Sequence, residues 1–403
     1  MNSDPAASGE GNSAVDQLEE VRKAYRILGL HNGRWPMATL VILALSVAVT
    51  GVAQLSPASL PLFLFSSGYG IWSGHQWFGL IGSIFIHAGV LHLACNCYWF
   101  WLFGRIMEVE LGWMRYLSLV IGCAWMTGTV ELALSGNPGV GLSGVLYAMF
   151  GYMIMNRGRI QAFSHVLPSK TIALLGVWLF ACIGLTYLGV LAVANGAHFA
   201  GFGAGCAIGF VSREKASRLF PVTVVMVAVS SLPLFWAPWQ ESWLVSQATH
   251  CFKAGRQSDA MPYVERVLLK NPKNGWAYRV KGYIQVSNKQ YRDAKATFAN
   301  ACNLSRDDAH VANSLAWLLC TCPDASVRDG ESAVKEAKRA CDLTNWESAA
   351  CLDTYAAALA ETNDFAGAVQ WETKAAELAA DKSPEYQEHL AAFKAGRAWR
   401  DPK

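Results

Sequence analysis

The chain has 403 residues, of which 53% are hydrophobic and only 16% charged, and its formal net charge is +3. Residues 1–240 hold 21 of the 63 charged side chains, and the 69 residues from Pro36 to Gly104 hold none. Such a profile excludes a purely soluble fold. The remaining 163 residues carry 21 basic and 21 acidic side chains, so they lack the basic surface that a nucleic acid partner requires. The composition predicts a polytopic membrane domain followed by a soluble one.

Residues 1–35 form a polar segment that precedes the first apolar stretch. Its first 20 residues are acidic and lack the basic start and short apolar core of a cleavable signal. We therefore expect a cytoplasmic N-terminal segment and a first membrane helix that stays as an anchor.

Seven apolar stretches are candidates for membrane spans, since about twenty apolar residues suffice to cross a bilayer. They lie near 36–55, 87–107, 114–134, 142–156, 171–188, 195–212 and 219–238. Segment 56–86 is also apolar, but Pro57 and Pro61 interrupt it. We expect this segment to be a loop that dips into the membrane interface.

Basic residues predict the orientation, because cytoplasmic loops carry an excess of Lys and Arg. They precede the first span and recur in every second loop, whereas loops 56–86, 135–141 and 189–194 have none. The N-terminus is therefore predicted inside, and an odd number of spans places residues 241–403 outside the cytoplasm. The expected location is the inner or plasma membrane of a bacterium. Pro233 leaves an alternative open for 219–238, which could lie along the interface instead of crossing.

The soluble part contains an internal repeat. Ala260, Ala294, Ala333 and Ala368 are spaced by 34, 39 and 35 residues, which is the period of a helix-turn-helix solenoid. The pattern of small and aromatic residues around these positions resembles the tetratricopeptide repeat. The extra residues of the third unit are predicted to form the loop Cys320–Glu331. Such a solenoid presents a concave surface, so we expect protein partners for this domain.

Three polar motifs in the membrane half require an explanation, because polar groups in a bilayer are costly. His92 and Asn96 on the second span are four residues apart and share one helical face. Gly141-Leu-Ser143-Gly144 opens the fourth span, where free backbone N–H groups and the positive end of the helix dipole surround the serine. His198 lies on the sixth span.

Each motif also has a simpler interpretation. A Gly-x-Ser-Gly sequence alone is common in membrane helices that pack closely, and a single intramembrane His could serve a proton relay or transport. A nucleophile, a base and oxyanion donors on three separate spans are together what acyl transfer needs without a metal. The pair Cys320-Thr-Cys322 is one residue too tight for the usual zinc knuckle, so no metal and no cofactor are predicted.

The combined motifs resemble those of rhomboid intramembrane serine proteases. The resemblance covers about residues 36–212, and it implies a six-helix membrane core. The apolar stretch within 213–240 is predicted to add a further span. The segments that carry it are His87-Ala-Gly-Val-Leu-His92 with Asn96, Gly141-Leu-Ser-Gly144, Ser143-Gly-Val-Leu-Tyr147, and Ala197-His198 with Gly201. The predicted architecture is all-α throughout, a membrane helix bundle followed by the solenoid at 241–403.

The resemblance makes Ser143 the nucleophile and His198 its general base, a dyad without an acidic third member. It makes His92, Asn96 and the Ser143 backbone N–H the oxyanion donors. The ring of Tyr147 is expected to stack on the imidazole of the base.

Other residues are expected to support this site. Gly141 and Gly144 flank the serine, and Gly201 belongs to a small-residue stripe that lets the fourth and sixth spans approach closely. His87 is expected near a water-facing cavity, with a structural role as an equal alternative. We expect Glu108 to cap a helix end, and Glu131 receives no role.

The sequence thus predicts an intramembrane serine protease that cleaves transmembrane protein substrates in the lipid bilayer. Two alternatives come from other classes of protein. One is a proteolytically silent rhomboid-like protein that binds transmembrane clients. The other is a membrane-anchored scaffold whose main task is docking partners through its repeats.

Overall fold

The structure is a computed structural model that describes residues 35–56, 66–379 and 384–401. It separates into two compact units, Met1–Trp243 and Leu244–Lys403. The described residues form helices and turns without strands, as the all-α prediction requires. Almost all of the predicted cytoplasmic segment 1–35, and residues 57–65 of the predicted membrane-dipping loop, lie outside the described residues.

The first unit contains six long helices and several short ones in its described part. The long helices are α1 (Met37–Leu55), α4 (Val90–Leu111), α5 (Trp113–Ser135), α6 (Ser143–Asn156), α8 (Ser169–Tyr187) and α9 (Asn195–Ser212). The short helices between them are α2 (Gly68–Gly74), α3 (Gly79–Gly82) and α7 (Gln161–Val166), and the unit ends with α10 (Leu219–Ser230) and α11 (Leu232–Phe235).

By length and composition, only some of the helices at the seven predicted spans could cross a membrane. In the described chain, Met37–Leu55, Trp113–Ser135, Ser169–Tyr187 and Ala216–Phe235 are long and apolar enough to cross, and the bent pair Gly79–Phe85 and Val90–Leu111 adds a fifth candidate. The chain is thus an integral, multi-pass membrane protein. The two helices that fall short, α6 and α9, carry Ser143 and His198. Because α6 has 14 residues, it is only about 21 Å long, against about 30 Å of bilayer hydrocarbon.

Helix α6 is the central helix of this unit, since every residue from Gly144 to Met153 is buried. It packs along α9, and glycines allow their backbones to approach each other. A methyl group on Gly201 would collide with the Gly144 carbonyl, and one on Gly205 with the Ala148 carbonyl. These positions leave no space for any side chain.

Glu108 caps the N-terminus of α1, as the sequence predicts. One carboxylate oxygen accepts the backbone N–H of Ala38 at 2.9 Å, and the other accepts the N–H and the hydroxyl of Thr39, each at 2.8 Å. The carboxylate is buried and lies at the positive end of the helix dipole. This capping joins α4 to the start of α1.

Helices α10 and α11 run alongside α5 in the same direction. The indole N–H of Trp125 donates to the Ser231 hydroxyl at 2.8 Å, and that of Trp239 donates to the Ala133 carbonyl at 2.7 Å. The contact points therefore advance together along both segments. The chain leaves this unit at the end of α5 from which the loop to Ser143 also starts.

The second unit consists of helices connected by short turns. They are α12 (Glu241–Lys253, which begins just before the unit boundary), α13 (Gln257–Lys270), α14 (Gly275–Ser287), α15 (Tyr291–Leu304), α16 (Ala309–Thr321), α17 (Gly330–Leu343), α18 (Ala349–Glu361), α19 (Phe365–Leu378) and α20 (Pro384–Lys394). This packing of successive helices suggests a solenoid.

The repeat period that the sequence predicts corresponds to helix pairs. Each of the four alanines that define the period is fully buried and is the fourth residue of a 14-residue helix, namely Ala260, Ala294, Ala333 and Ala368. The extra residues of the third unit connect α16 to α17, inside the loop predicted at Cys320–Glu331. The six cysteines of this unit are buried and unpaired.

Candidate active site

Ser143 is the first residue of α6, and the turn before it depends on glycine. Gly141 has φ of +100°, a left-handed conformation that favours a residue without a Cβ, and its N–H donates to the Ser83 carbonyl at 3.1 Å. As the first helical residue, Ser143 has a backbone N–H without an acceptor inside the helix. The turn therefore presents a hydroxyl and an N–H that the helix does not use at the same point.

The structure brings Ser143 and His198 together. Nε2 of His198 lies 2.8 Å from the hydroxyl oxygen of Ser143, within hydrogen-bond distance. The side chain of His198 is buried, and its Nδ1 atom has no hydrogen-bond partner among the described residues. The pair thus lacks an acidic third member in the described chain. For Nε2 to accept the serine proton, Nδ1 must carry the ring hydrogen.

Tyr147 contacts the imidazole but does not lie parallel to it. The two ring centroids are 4.8 Å apart and the planes are inclined by 42°, so the expected stacking is a tilted contact. The phenol hydroxyl donates to the Leu175 carbonyl at 3.3 Å, which anchors the ring to α8. Tyr147 therefore limits the rotation of His198 from one side.

His92 and Asn96 lie beside the serine turn. A methyl group on Gly141 would be 3.0 Å from Nε2 of His92 and 3.2 Å from Nδ2 of Asn96. The Asn96 amide nitrogen is buried and has no acceptor among the described residues. His92 accepts the Ala88 N–H on Nδ1 at 3.4 Å, so its ring hydrogen is on Nε2, the atom facing the turn. Side-chain donors of His92 and Asn96 thus face the turn that carries Ser143.

His87 is fully buried and lies between α1 and the serine turn. Its Nδ1 atom lies 3.2 Å from the Thr50 hydroxyl, and its Nε2 atom accepts the Leu142 N–H at 3.4 Å. The sequence could not reveal these two partners, which come from α1 and from the serine turn. His87 holds the backbone next to Ser143.

Glu131 has a position that the sequence analysis missed. It is buried on α5, and its carboxylate accepts the backbone N–H of Ala197 at 2.9 Å in the first turn of α9. A carboxylate at this end of a helix is favoured by the helix dipole. The residue it holds directly precedes His198. The signal in the sequence was a single acidic residue inside an otherwise uncharged apolar stretch, which demands a partner.

Comparisons with known proteins show the family of this chain. Residues 74–215 match the family described as Rhomboid domain. The chain is 30% identical over 220 residues to the rhomboid protease GlpG of Yersinia pseudotuberculosis serotype I (strain IP32953), and the match covers 53% of this chain and 75% of that protein. The GlpG protein of Yersinia pestis (strain Pestoides F) is 30% identical, and the match covers 53% of this chain and 75% of that protein. The GlpG protein of Salmonella paratyphi A (strain ATCC 9150 / SARB42) is 26% identical, and the match covers 52% of this chain and 74% of that protein. The chain belongs to the rhomboid family and is an intramembrane serine endopeptidase.

Proposed function

We propose that this protein cleaves transmembrane protein substrates with Ser143 as nucleophile and His198 as general base. The observation that carries the proposal is the 2.8 Å separation between the Ser143 hydroxyl and Nε2 of His198. Nucleophile and base within hydrogen-bond reach are the signature of covalent acyl transfer. The positions of His92 and Asn96 next to the same turn support their roles as oxyanion donors, together with the Ser143 N–H.

The reaction follows from these positions. The Ser143 oxygen attacks the scissile carbonyl carbon while its proton passes to Nε2 of His198. The carbonyl oxygen becomes an oxyanion that accepts hydrogen bonds from the donors named above. His198 then gives the proton to the leaving amine as the C–N bond breaks, and an acyl-enzyme remains. Water, deprotonated by His198, hydrolyses the ester and regenerates Ser143.

The tilted contact with Tyr147 takes the place of an acidic orienting group. The imidazolium that forms during attack lies against an aromatic face, which stabilises a cation. A substrate helix hides its carbonyls in internal hydrogen bonds, so it has to unwind before Ser143 can reach one. Helix-breaking residues near the cleavage site should therefore promote cleavage.

We propose further that the repeat domain lies on the non-cytoplasmic side, which is also the side of the active-site opening, and docks substrates or partners there. The parallel course of α10 and α5 supports this placement, since the chain leaves the membrane unit at the end that leads to Ser143. The length and apolar character of Ala216–Phe235 favour a segment that crosses the membrane rather than one that lies along the interface. A docking surface on the same side of the membrane would raise the local concentration of a substrate.

Labelling with a fluorophosphonate probe tests the enzyme against its two alternatives. We expect the full-length protein in liposomes to form a covalent adduct that peptide mapping assigns to Ser143, and we expect His198→Ala to abolish labelling. The exposed serine at the start of α8, Ser169, offers a matched control, and Ser169→Ala should label normally. A silent binding protein or a scaffold would give no adduct, and an adduct on another serine would contradict the proposed nucleophile.

A further inference from the structure

Three ionisable side chains meet inside the repeat domain, away from the dyad. Asp353 lies on α18, Glu372 on α19 and His389 on α20, and all three are buried. One ligand atom from each lies within 4.8 Å of the other two, and within the described residues this is the one group of three such side chains with this geometry. Nδ1 of His389 is 2.7 Å from a carboxylate oxygen of Asp353.

Glu372 is the unusual member of this cluster. Its side chain is fully buried, and within the described residues neither oxygen of its ionised carboxylate has a hydrogen-bond donor. The Asp353 carboxylate beside it is itself an acceptor, and none of the ion pairs in the described chain gives Glu372 an Arg or Lys partner. A buried carboxylate without compensation is strongly destabilising, so the site requires a proton or a cation.

We propose that Asp353, Glu372 and His389 bind one divalent transition-metal ion, with Zn²⁺ as the best fit. Imidazole nitrogen and carboxylate oxygen are ordinary zinc ligands, and two carboxylates neutralise the charge of the ion. Zinc bonds of about 2.0–2.1 Å place tetrahedral ligand atoms about 3.3 Å apart. The separations in the cluster, from 2.7 Å to at most 4.8 Å, lie on both sides of that value.

The surroundings favour a fixed site. The imidazole of His389 lies 4.4 Å from the Trp399 ring and 5.6 Å from the Trp317 ring, measured between centroids. These apolar walls exclude water and strengthen electrostatic attraction inside the cluster. The nearby Asp401 is already engaged, since it accepts hydrogen bonds from Trp317 and Thr321. A bound ion would fasten α20 to the hairpin of α18 and α19.

A proton is the competing occupant. Burial, together with the adjacent Asp353 carboxylate, raises the pKa of Glu372 to about 10. Without metal, a protonated Glu372 can donate to Asp353. Metal binding then releases this proton to solvent and requires Nδ1 of His389 to be unprotonated, with the ring hydrogen on Nε2. The substitution Glu372→Gln imitates the protonated state, because its amide can also donate to Asp353 but cannot replace the charged ligand.

The test measures zinc in the full-length protein in detergent after chelator treatment, reloading with ZnCl₂ and desalting. We expect the wild type to retain about one zinc ion per chain more than Glu372→Gln, because only the carboxylate completes the site. The matched control is Glu377→Gln, an exposed position on the same helix with the same change of charge, and it should retain zinc like the wild type. Zinc should raise the melting temperature of the wild type and the control but not that of Glu372→Gln.

X-ray absorption of the zinc-loaded wild type provides a readout that does not depend on folding of a variant. The proposal requires a first shell of nitrogen and oxygen atoms with one imidazole and no sulfur. Equal zinc retention by the wild type and Glu372→Gln would overturn the proposal and leave the cluster with a proton only. Sulfur ligands in the absorption spectrum would overturn it as well, since they would assign the ion to cysteines.

Discussion

His198 directly follows Ala197, whose backbone N–H donates a hydrogen bond to the carboxylate of Glu131 on α5. Glu131 accepts the Ala197 N–H, so its removal frees the start of α9. We expect Glu131→Ala to lower kcat about tenfold to a hundredfold, because small displacements of a catalytic group have effects of this order. Glu131→Gln keeps an acceptor oxygen, so its kcat should fall by less than that of Glu131→Ala. Kinetics in liposomes with a transmembrane substrate measure both variants.

The matched control for this prediction is Glu108→Ala. Glu108 is also a buried carboxylate that caps a helix, but the helix is α1, which carries no residue of the dyad. Both alanine variants should lose stability, typically about 1 kcal/mol for a helix cap. Only Glu131→Ala should lose kcat. Similar kcat losses in both would show that the effect is general destabilisation.

The Asn96 amide faces the serine turn and has no acceptor in the part of the chain that the structure describes, so its proposed partner is the oxyanion. Loss of one such donor costs about a hundred- to a thousandfold in kcat, and less where a second donor such as His92 remains. We expect Asn96→Ala to lower kcat by at least about tenfold with little change in KM. A rise in KM at constant kcat would instead assign Asn96 to substrate binding.

At this scale the sequence predicts which residues meet but not how they are oriented. Spacing places His92 and Asn96 on one helical face, and the motifs pair Ser143 with His198. The tilt of Tyr147, the burial of His87 and the capping by Glu131 depend on how neighbouring helices are rotated about their axes. A single sequence contains no direct signal for such rotations.

At the scale of elements, the seam between α6 and α9 determines the distance between nucleophile and base. We expect Gly201→Ala to lower activity by about a hundredfold, since the added methyl group collides with the Gly144 carbonyl and displaces the helices by about 1 Å. Gly203 is exposed on the same helix, and a methyl group there meets nothing within 4 Å. Gly203→Ala is therefore the control, and it should remain active.

The rates of both variants on one substrate check this prediction, with folding followed by thermal melting. Equal activity of Gly201→Ala and Gly203→Ala would mean that the close contact between α6 and α9 does not determine the distance between Ser143 and His198. The small-residue pattern predicts the close approach from sequence. The start and the length of α6, Ser143–Asn156, also agree with the predicted span at 142–156 and with the motif that opens it.

At the scale of the whole molecule, the orientation of the repeats is testable by reporter fusions. We expect alkaline phosphatase fused after Lys403 to be active, because this enzyme needs a non-cytoplasmic location, and a cytoplasmic reporter at the same position to be silent. The opposite pattern would place the repeats inside. Deleting residues 245–403 should then slow cleavage of natural substrates far more than cleavage of a short test substrate, which lacks a surface for the repeats to bind.

The central claim is that Ser143, activated by His198, performs the cleavage, and the most direct test is the cleavage rate of Ser143→Ala in liposomes. The substrate is a single-pass transmembrane segment, and Ser169→Ala serves as the reference for a neutral serine substitution. We expect Ser143→Ala to remain folded and to retain less than about a thousandth of the wild-type rate, because removal of a nucleophile usually lowers the rate by at least this factor. A rate above that level would show that another residue attacks the substrate and would contradict the account.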